Sequence, residues 1–234
     1  MSNTKNIKGV LFDFNGTLFF DSEFHIRAFK KYFTEHGKDE PSAEFITKNI
    51  FGRPNPRIYS DNFNPTPTKE ECDQFAEDKE GLYRAFCLAE PELMKYTDGA
   101  AELLDYLKEN NIPYCLATGS GMDNISFYME HMDLGRWFDL ERNVVYFDGT
   151  FAGKPEPDTY VIAAQKLGLD PSECIVFEDG TSGVLSANRA NAGGVVCVYE
   201  PSLPSPITPE IHCDSVHHDF KDWRAILENY GISR

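Results

Sequence analysis

Hydrophobic positions along this chain fall into two kinds of segment. Short apolar runs at residues 10–14, 112–117, 144–147, 174–177 and 195–198 show no alternation with polar residues. Such runs mark strands covered on both faces. Between most of them the apolar residues recur at helical spacing. Ala100, Leu103, Leu104 and Leu107 follow one another at three- and four-residue intervals, with Asp98 ahead of them as a predicted N-cap. Residues 159–167 repeat the pattern and stop at Gly168, where a helix is expected to end. Strands alternating with helices predict right-handed crossovers and a mostly parallel sheet with helices on both faces, a Rossmann-like α/β core.

Residues 21–91 break this rhythm. No convincing strand is present, helices are predicted at 23–33 and 69–88, and Pro/Asn-rich stretches at 54–56 and 62–67 read as interruptions between them. The expected organisation is a core of residues 1–20 and 93–234 interrupted by an all-helical domain of residues 21–92. A proline-rich loop at 200–209 and a terminal helix over about 219–230 complete the chain, which has no internal repeat.

Charge and cysteine usage narrow the classes. With 22 basic and 38 acidic residues the net charge is −16, which repels the phosphates of nucleic acid and argues against non-specific DNA or RNA binding. No apolar run approaches the roughly 18–20 residues that span a bilayer, and residues 1–5 lack the apolar region of a signal peptide. The six cysteines have no C-x-x-C spacing, and three of them, Cys115, Cys174 and Cys197, lie in apolar runs as small hydrophobes. A cytoplasmic protein with reduced thiols is expected, monomeric or weakly oligomeric, with neither zinc nor a disulfide framework.

The chemistry concentrates at four places, each at or beyond the C-terminal end of a predicted strand, the edge at which open α/β sheets bind ligands. Asp13, in Asp13-Phe14-Asn15-Gly16-Thr17-Leu18, is a carboxylate on a tight turn and a candidate nucleophile. Thr118, with Gly119 and Ser120, offers a hydroxyl and small-residue amides to a phosphate oxygen. Lys154, in Gly153-Lys154-Pro155-Glu156-Pro157-Asp158, is a fixed positive charge. Glu178 and Asp179 form a carboxylate pair suited to a hard cation such as Mg²⁺. Each has a plainer reading alone: a turn residue, a cap for the helix near Met122, a loop charge, an exposed acidic pair. Together they supply what phosphoryl transfer through an aspartyl-phosphate requires.

The order and spacing of D-x-x-G-T-L, T-G-S, G-K-P-x-P-D and F-E-D resemble the haloacid dehalogenase superfamily over nearly the whole chain. The helical insert is similar to that family's C1 cap, and Asp21-Ser22-Glu23-Phe24-His25 to the start of the β-phosphoglucomutase-like cap. The resemblance implies a Mg²⁺-dependent phosphatase of a small phosphorylated metabolite, with a sugar phosphate favoured by the cap type. It implies Asp13 as nucleophile and Thr118, Gly119 and Lys154 as phosphate-binding residues. Mg²⁺ would be held by Asp13, the Asn15 backbone carbonyl and Asp179, with Glu178 a further or water-mediated ligand.

Asn15 departs from the family, which usually has Asp there to protonate the leaving alcohol and then activate water. An amide does neither, so slow hydrolysis is expected. His25, Arg53 and Arg57 are cap candidates for substrate contact, and His25 for part of the missing proton transfer. Two alternatives follow from Asn15. One is C–P bond cleavage, which also needs a cap lysine, Lys48 being the nearest candidate. The other is a phosphometabolite-binding protein with little turnover.

Overall fold

All five apolar runs contribute strands to one sheet in the computed structural model, which describes residues 6–209 and 211–232. The N-terminal pentapeptide read above for a signal segment lies outside them. The strands are β1 (Gly9–Phe12), β2 (Tyr114–Ala117), β3 (Val144–Val145), β4 (Cys174–Glu178), β5 (Gly194–Val198) and β6 (Ser215–His217). They pair in the order β3-β2-β1-β4-β5-β6, every pair parallel. The chain runs from β1 outward through β2 to β3, then returns to place β4 on the other side of β1. That reversal opens a crevice at the C-terminal ends of β1 and β4, the position at which such sheets bind ligands.

Two strands differ from expectation. The third is two residues long, because Phe147 turns its N–H to the Ser120 carbonyl at 3.0 Å rather than into the ladder. The sixth was not foreseen. It lies at the sheet edge with only partial burial and carries Ser, Val and His, so no apolar run betrays it.

The helices are α1 (Ser22–Glu35), α2 (Ala43–Asn49), α3 (Asn55–Asn62), α4 (Lys69–Ala89), α5 (Ala100–Glu109), α6 (Met122–His131), α7 (Asp158–Lys166), α8 (Thr181–Arg189) and α9 (Trp223–Asn229). Residues 54–56 start α3 rather than interrupt the helices, since proline in a first turn forfeits no helical hydrogen bond. Asp98 does not cap α5. Gly99 occupies that position at φ +84°, where an added Cβ would lie 2.6 Å from the Phe220 carbonyl carbon. The Asp98 carboxylate instead pairs with Lys221 at 2.8 Å. The last helix begins at Trp223 because residues 219–222 form a turn in which Asp219 accepts the Lys221 N–H.

The described residues divide into two compact units, one comprising those up to Phe20 and from Lys95 onward, the other Asp21–Met94. In the first, β1, β2, β4 and β5 are buried along their whole length, as a sheet covered on both faces demands. One face packs Leu11, Cys115, Ala117 and Val176 against the small residues Ala163 and Ala164 of α7 and Ala187 of α8. Elsewhere in this unit Phe12 and Phe177 stack at 5.2 Å, with Phe220 against them. The second unit has its own core of Ile26, Phe29, Tyr32, Phe33, Ile46, Ile50, Ile58 and Phe75. Its longest helix, α4, opens with a reciprocal capping box between Thr68 and Glu71. No helix among the described residues is long and apolar enough to cross a membrane.

All six cysteines are free thiols. Burial pushes Cys87, Cys115 and Cys174 up to about 12, and Cys72 is buried too. Cys213 is half-buried, its Sγ donates to the Ser215 carbonyl at 2.8 Å, and hydrogen bonding with its neighbour Cys197 holds it below its ordinary range. Because the other five thiols are buried, one thiol per chain is expected to react rapidly with iodoacetamide at pH 8, and peptide mapping should find it at Cys213. Cys213→Ser removes the fast phase; a fast phase that survives contradicts this arrangement.

Candidate active site

The site grows from the end of β1. Phe12 is the last paired residue, aligned with Leu116 on one side and Phe177 on the other. Asp13 follows, its N–H bonded to the Phe177 carbonyl at 3.0 Å, so its carboxylate emerges at the crevice between β1 and β4. The chain then turns tightly: Gly16 N–H reaches the Phe19 carbonyl at 2.7 Å, and Thr17 N–H the Phe14 carbonyl at 3.2 Å. Gly16 is at φ +76°, and a Cβ on it would lie 2.1 Å from Asp179 Oδ2. The glycine of the first motif thus admits both the left-handed turn and the close approach of a carboxylate from β4.

Lys154 reaches into this crevice from the loop before α7. Its Nζ lies 2.6 Å from Asp13 Oδ1 and 2.6 Å from Glu178 Oε1, with the side chain only 11% exposed. Burial opposes the ammonium charge, but Asp13 and then Glu178 outweigh it and hold Lys154 well above its ordinary range. The positive charge is consequently permanent at any working pH.

Glu178 is saturated with donors. Its Oε1 accepts from Lys154 and from the Tyr160 hydroxyl at 2.6 Å, and its Oε2 accepts from the N–H groups of Asp179 at 3.0 Å and Gly180 at 3.2 Å. Gly183 leaves room for this carboxylate, since a Cβ there would lie 1.8 Å from Oε1. Direct coordination of a metal by Glu178 would surrender one of these bonds.

Thr118 ends β2 and is buried, its N–H bonded to the Val145 carbonyl at 2.9 Å. Its Oγ1 accepts the Ser120 N–H at 3.1 Å, which leaves the hydroxyl hydrogen to serve a ligand. Gly119 is exposed and has open space around its Cα. The Ser120 hydroxyl donates to Asn15 Oδ1 at 2.7 Å, while Asn15 Nδ2 donates to the Tyr128 hydroxyl at 2.8 Å. The amide of Asn15 is therefore clamped at both ends, and its orientation follows from the donors and acceptors around it. Ser120 belongs to the T-G-S motif, but Tyr128 and Tyr160 carried no sequence signal, because their relation to the site exists only across the fold.

One carboxylate oxygen from each of Asp13, Glu178 and Asp179 lies within 4.8 Å of the other two. With Lys154 these side chains carry two net negative charges and offer oxygen donors only, a set that fits a divalent hard cation.

His25, Arg53 and Arg57 belong to the second unit. The His25 ring stacks on Tyr83 at 4.1 Å, with Nε2 3.3 Å from Asp21 Oδ2 and Nδ1 3.2 Å from Lys79 Nζ. This geometry fits the tautomer with hydrogen on Nε2, and both nitrogens have partners within their own unit. The Tyr83 hydroxyl donates to the same Asp21 oxygen at 2.6 Å. Arg53 and Arg57 converge on Asp61 Oδ2, at 3.4 and 2.8 Å. Lys48 is largely exposed and paired with Glu44 at 2.7 Å.

A parallel sheet with a carboxylate nucleophile candidate, a fixed lysine and an acidic cluster at its switch point defines a hydrolase of the phosphoryl-transfer kind. The chain belongs to the haloacid dehalogenase-like hydrolases, whose family pattern matches residues 7–191. It is 26% identical over 227 residues to the "phosphorylated carbohydrates phosphatase" of Thermotoga maritima, covering 97% of this chain and 93% of that one. A family IA, variant 3 hydrolase of this superfamily from Entamoeba histolytica superposes with a TM-score of 0.83 at 32% identity, over 96% of this chain and 100% of the other. The β-phosphoglucomutase of Clostridium difficile shares the fold, with a TM-score of 0.76 at 22% identity over 96% and 97% of the two chains.

Because Glu178 is held by four donors, it cannot swing away from a new methyl group. Gly183→Ala is expected to lower the unfolding free energy by about 1–3 kcal/mol, the usual range for overpacking, as read by urea denaturation. An unchanged denaturation midpoint would show that the carboxylate is not fixed as described.

Proposed function

We propose that this phosphohydrolase is a Mg²⁺-dependent phosphatase of small phosphorylated metabolites, with sugar phosphates the favoured class. The observation that carries the reading is the buried Lys154 ammonium beside Asp13 at the switch point. The phosphorylated-carbohydrate specificity in the Thermotoga relative's name supports the substrate class. Asp13 attacks phosphorus, the P–O bond to the alcohol breaks, and an aspartyl-phosphate forms on Asp13. Attack of water on that phosphorus then releases orthophosphate and restores the carboxylate. Lys154 and the Thr118 hydroxyl hold the phosphoryl oxygens and neutralise their charge, with the Gly119 amide beside them. Asp13, Asp179 and the Asn15 carbonyl would hold Mg²⁺, with Glu178 behind them as the anchor of Lys154. The cation, when bound, relieves repulsion between the phosphate and the carboxylates. The free thiols fit a reducing compartment such as the cytoplasm.

Asn15 limits the rate. Its amide has no proton to give the leaving alkoxide and no basicity toward the attacking water, so both transfers fall to solvent. A positioned acid/base is typically worth about 10²–10⁴-fold. The clamp around Asn15 suits a carboxylate equally well, because Ser120 and Tyr128 both carry hydroxyl hydrogens that can turn toward it. The amide itself, held in place and without acid/base capacity, is what favours the second reading, a phosphometabolite-binding protein with little turnover. Exposed, ion-paired Lys48 lends nothing to C–P cleavage.

Phosphate release from a panel of sugar and nucleoside monophosphates with Mg²⁺ is expected for the protein as it stands. Asn15→Asp should raise kcat by about 10²-fold, and Asp13→Asn should abolish both turnover and phosphoryl transfer to the chain. A single-turnover phosphoryl adduct without further release marks the binding-protein reading. Silence from both the parent and Asn15→Asp across the panel refutes the phosphatase.

A further inference from the structure

We propose that Tyr160 is a positioning residue for Lys154: through one oxygen of Glu178, and by contact with its ring, it fixes the ammonium that meets the phosphoryl group. The inference rests on the phosphatase reading above and concerns how the lysine of that site is held.

Tyr160 lies in the first turn of α7, six residues beyond Lys154, and has no exposed surface. A buried phenol needs a hydrogen-bond partner, and here the partner is Glu178 Oε1 at 2.6 Å. That oxygen also accepts from Lys154 at 2.6 Å. The ammonium in turn sits 4.9 Å from the centroid of the Tyr160 ring, within cation–π range. Tyr160 therefore meets the lysine twice, by its face and through a shared acceptor. Burial first, and then the charges of Glu178 and Asp13, drive the phenol well above its ordinary range, so it remains a donor.

The arrangement answers a particular weakness of lysine. Its ammonium is a point charge on a four-carbon stem, with no planar fork to orient it. Glu178 alone would anchor it only if its own carboxylate could not turn. Two backbone N–H groups fix Oε2, the Tyr160 hydroxyl fixes Oε1, and Gly183 lets the group sit flush against α8. Packing does not require the hydroxyl. Tyr160 belongs to the same core cluster as Leu11, Ala163, Val184 and Ala187, an apolar setting in which phenylalanine fills the same volume. The oxygen is present because Glu178 uses it.

Orthovanadate, which adopts the five-coordinate geometry of a transferring phosphoryl group, is a suitable probe that needs no turnover. Its binding with Mg²⁺ is measured by calorimetry for the parent protein, Tyr160→Phe, Lys154→Met and the double variant, with thermal melts alongside. Loss of a hydrogen bond to a charged group predicts about tenfold weaker vanadate binding in Tyr160→Phe. In the Lys154→Met background the same substitution should change binding by less than about twofold, because the lysine it positions is gone. If Lys154→Met does not fold, Lys154→Arg replaces it, and the Tyr160→Phe effect should shrink because guanidinium carries its own fork. An equal loss in both backgrounds assigns Tyr160 a purely structural role, and no loss in the parent background removes the role altogether. A parent protein that releases phosphate and binds vanadate, with Tyr160→Phe matching it, defeats this inference alone. A parent that does neither defeats the phosphatase reading, and this inference falls with it.

Discussion

An ammonium buried between two carboxylates organises the α/β unit. Taking the Lys154 charge out of water costs several kcal/mol, and Asp13 and Glu178, both within 2.6 Å, offset it. Those partners come from residues distant in the chain. Asp13 ends β1, Glu178 ends β4 as its neighbour in the sheet, and Lys154 arrives from the loop before α7. The contact therefore requires the crossover that carries the chain out to β3 and back. Removing any one partner would strand a buried charge, which is generally more damaging than never having buried the group.

Around this trio the polar groups are satisfied in a directional way. Glu178 spends all its capacity on donors and acts as a fixed strut, whereas Asp179 crowds the Gly16 turn. Asn15 is equally constrained, accepting from Ser120 and donating to Tyr128. Its amide is a well-seated part of the site and no local defect. Under the proposed phosphatase chemistry the consequence lies in proton transfer alone, since the metal-facing contribution proposed for this position comes from its backbone, which an amide side chain does not alter.

The second unit is built on other terms. Its core is largely aromatic and β-branched, and it buries Asp21, Lys79 and Tyr83 in a polar cluster around His25. Lys79 lies against the rings of Phe29 and Tyr83 and pairs with Glu80. Its two arginine candidates share one aspartate at the surface. The sequence marked these residues by type; Asp21 and Asp61 lie one helical turn from His25 and Arg57, whereas Lys79 and Tyr83, more than fifty positions from His25, could not be foreseen as its partners.

The sequence by itself determined the sheet interior and the order of the site. Strands buried on both faces must be continuously apolar, so β1, β2, β4 and β5 are legible as runs, and the polar residues at the ends of β1, β2 and β4 are legible as candidates for the switch point. The edge strand β6 escaped because partial burial demands no such run. Tertiary structure alone decided the rest: that Asp98 pairs with Lys221 instead of capping α5, that Glu178 braces Lys154, and that Tyr128 and Tyr160 serve Asn15 and Glu178. Burial imposes a pattern on neighbouring residues that can be read along the chain. A hydrogen bond between distant residues imposes none, and it becomes visible only when the fold brings donor and acceptor within 3 Å of each other.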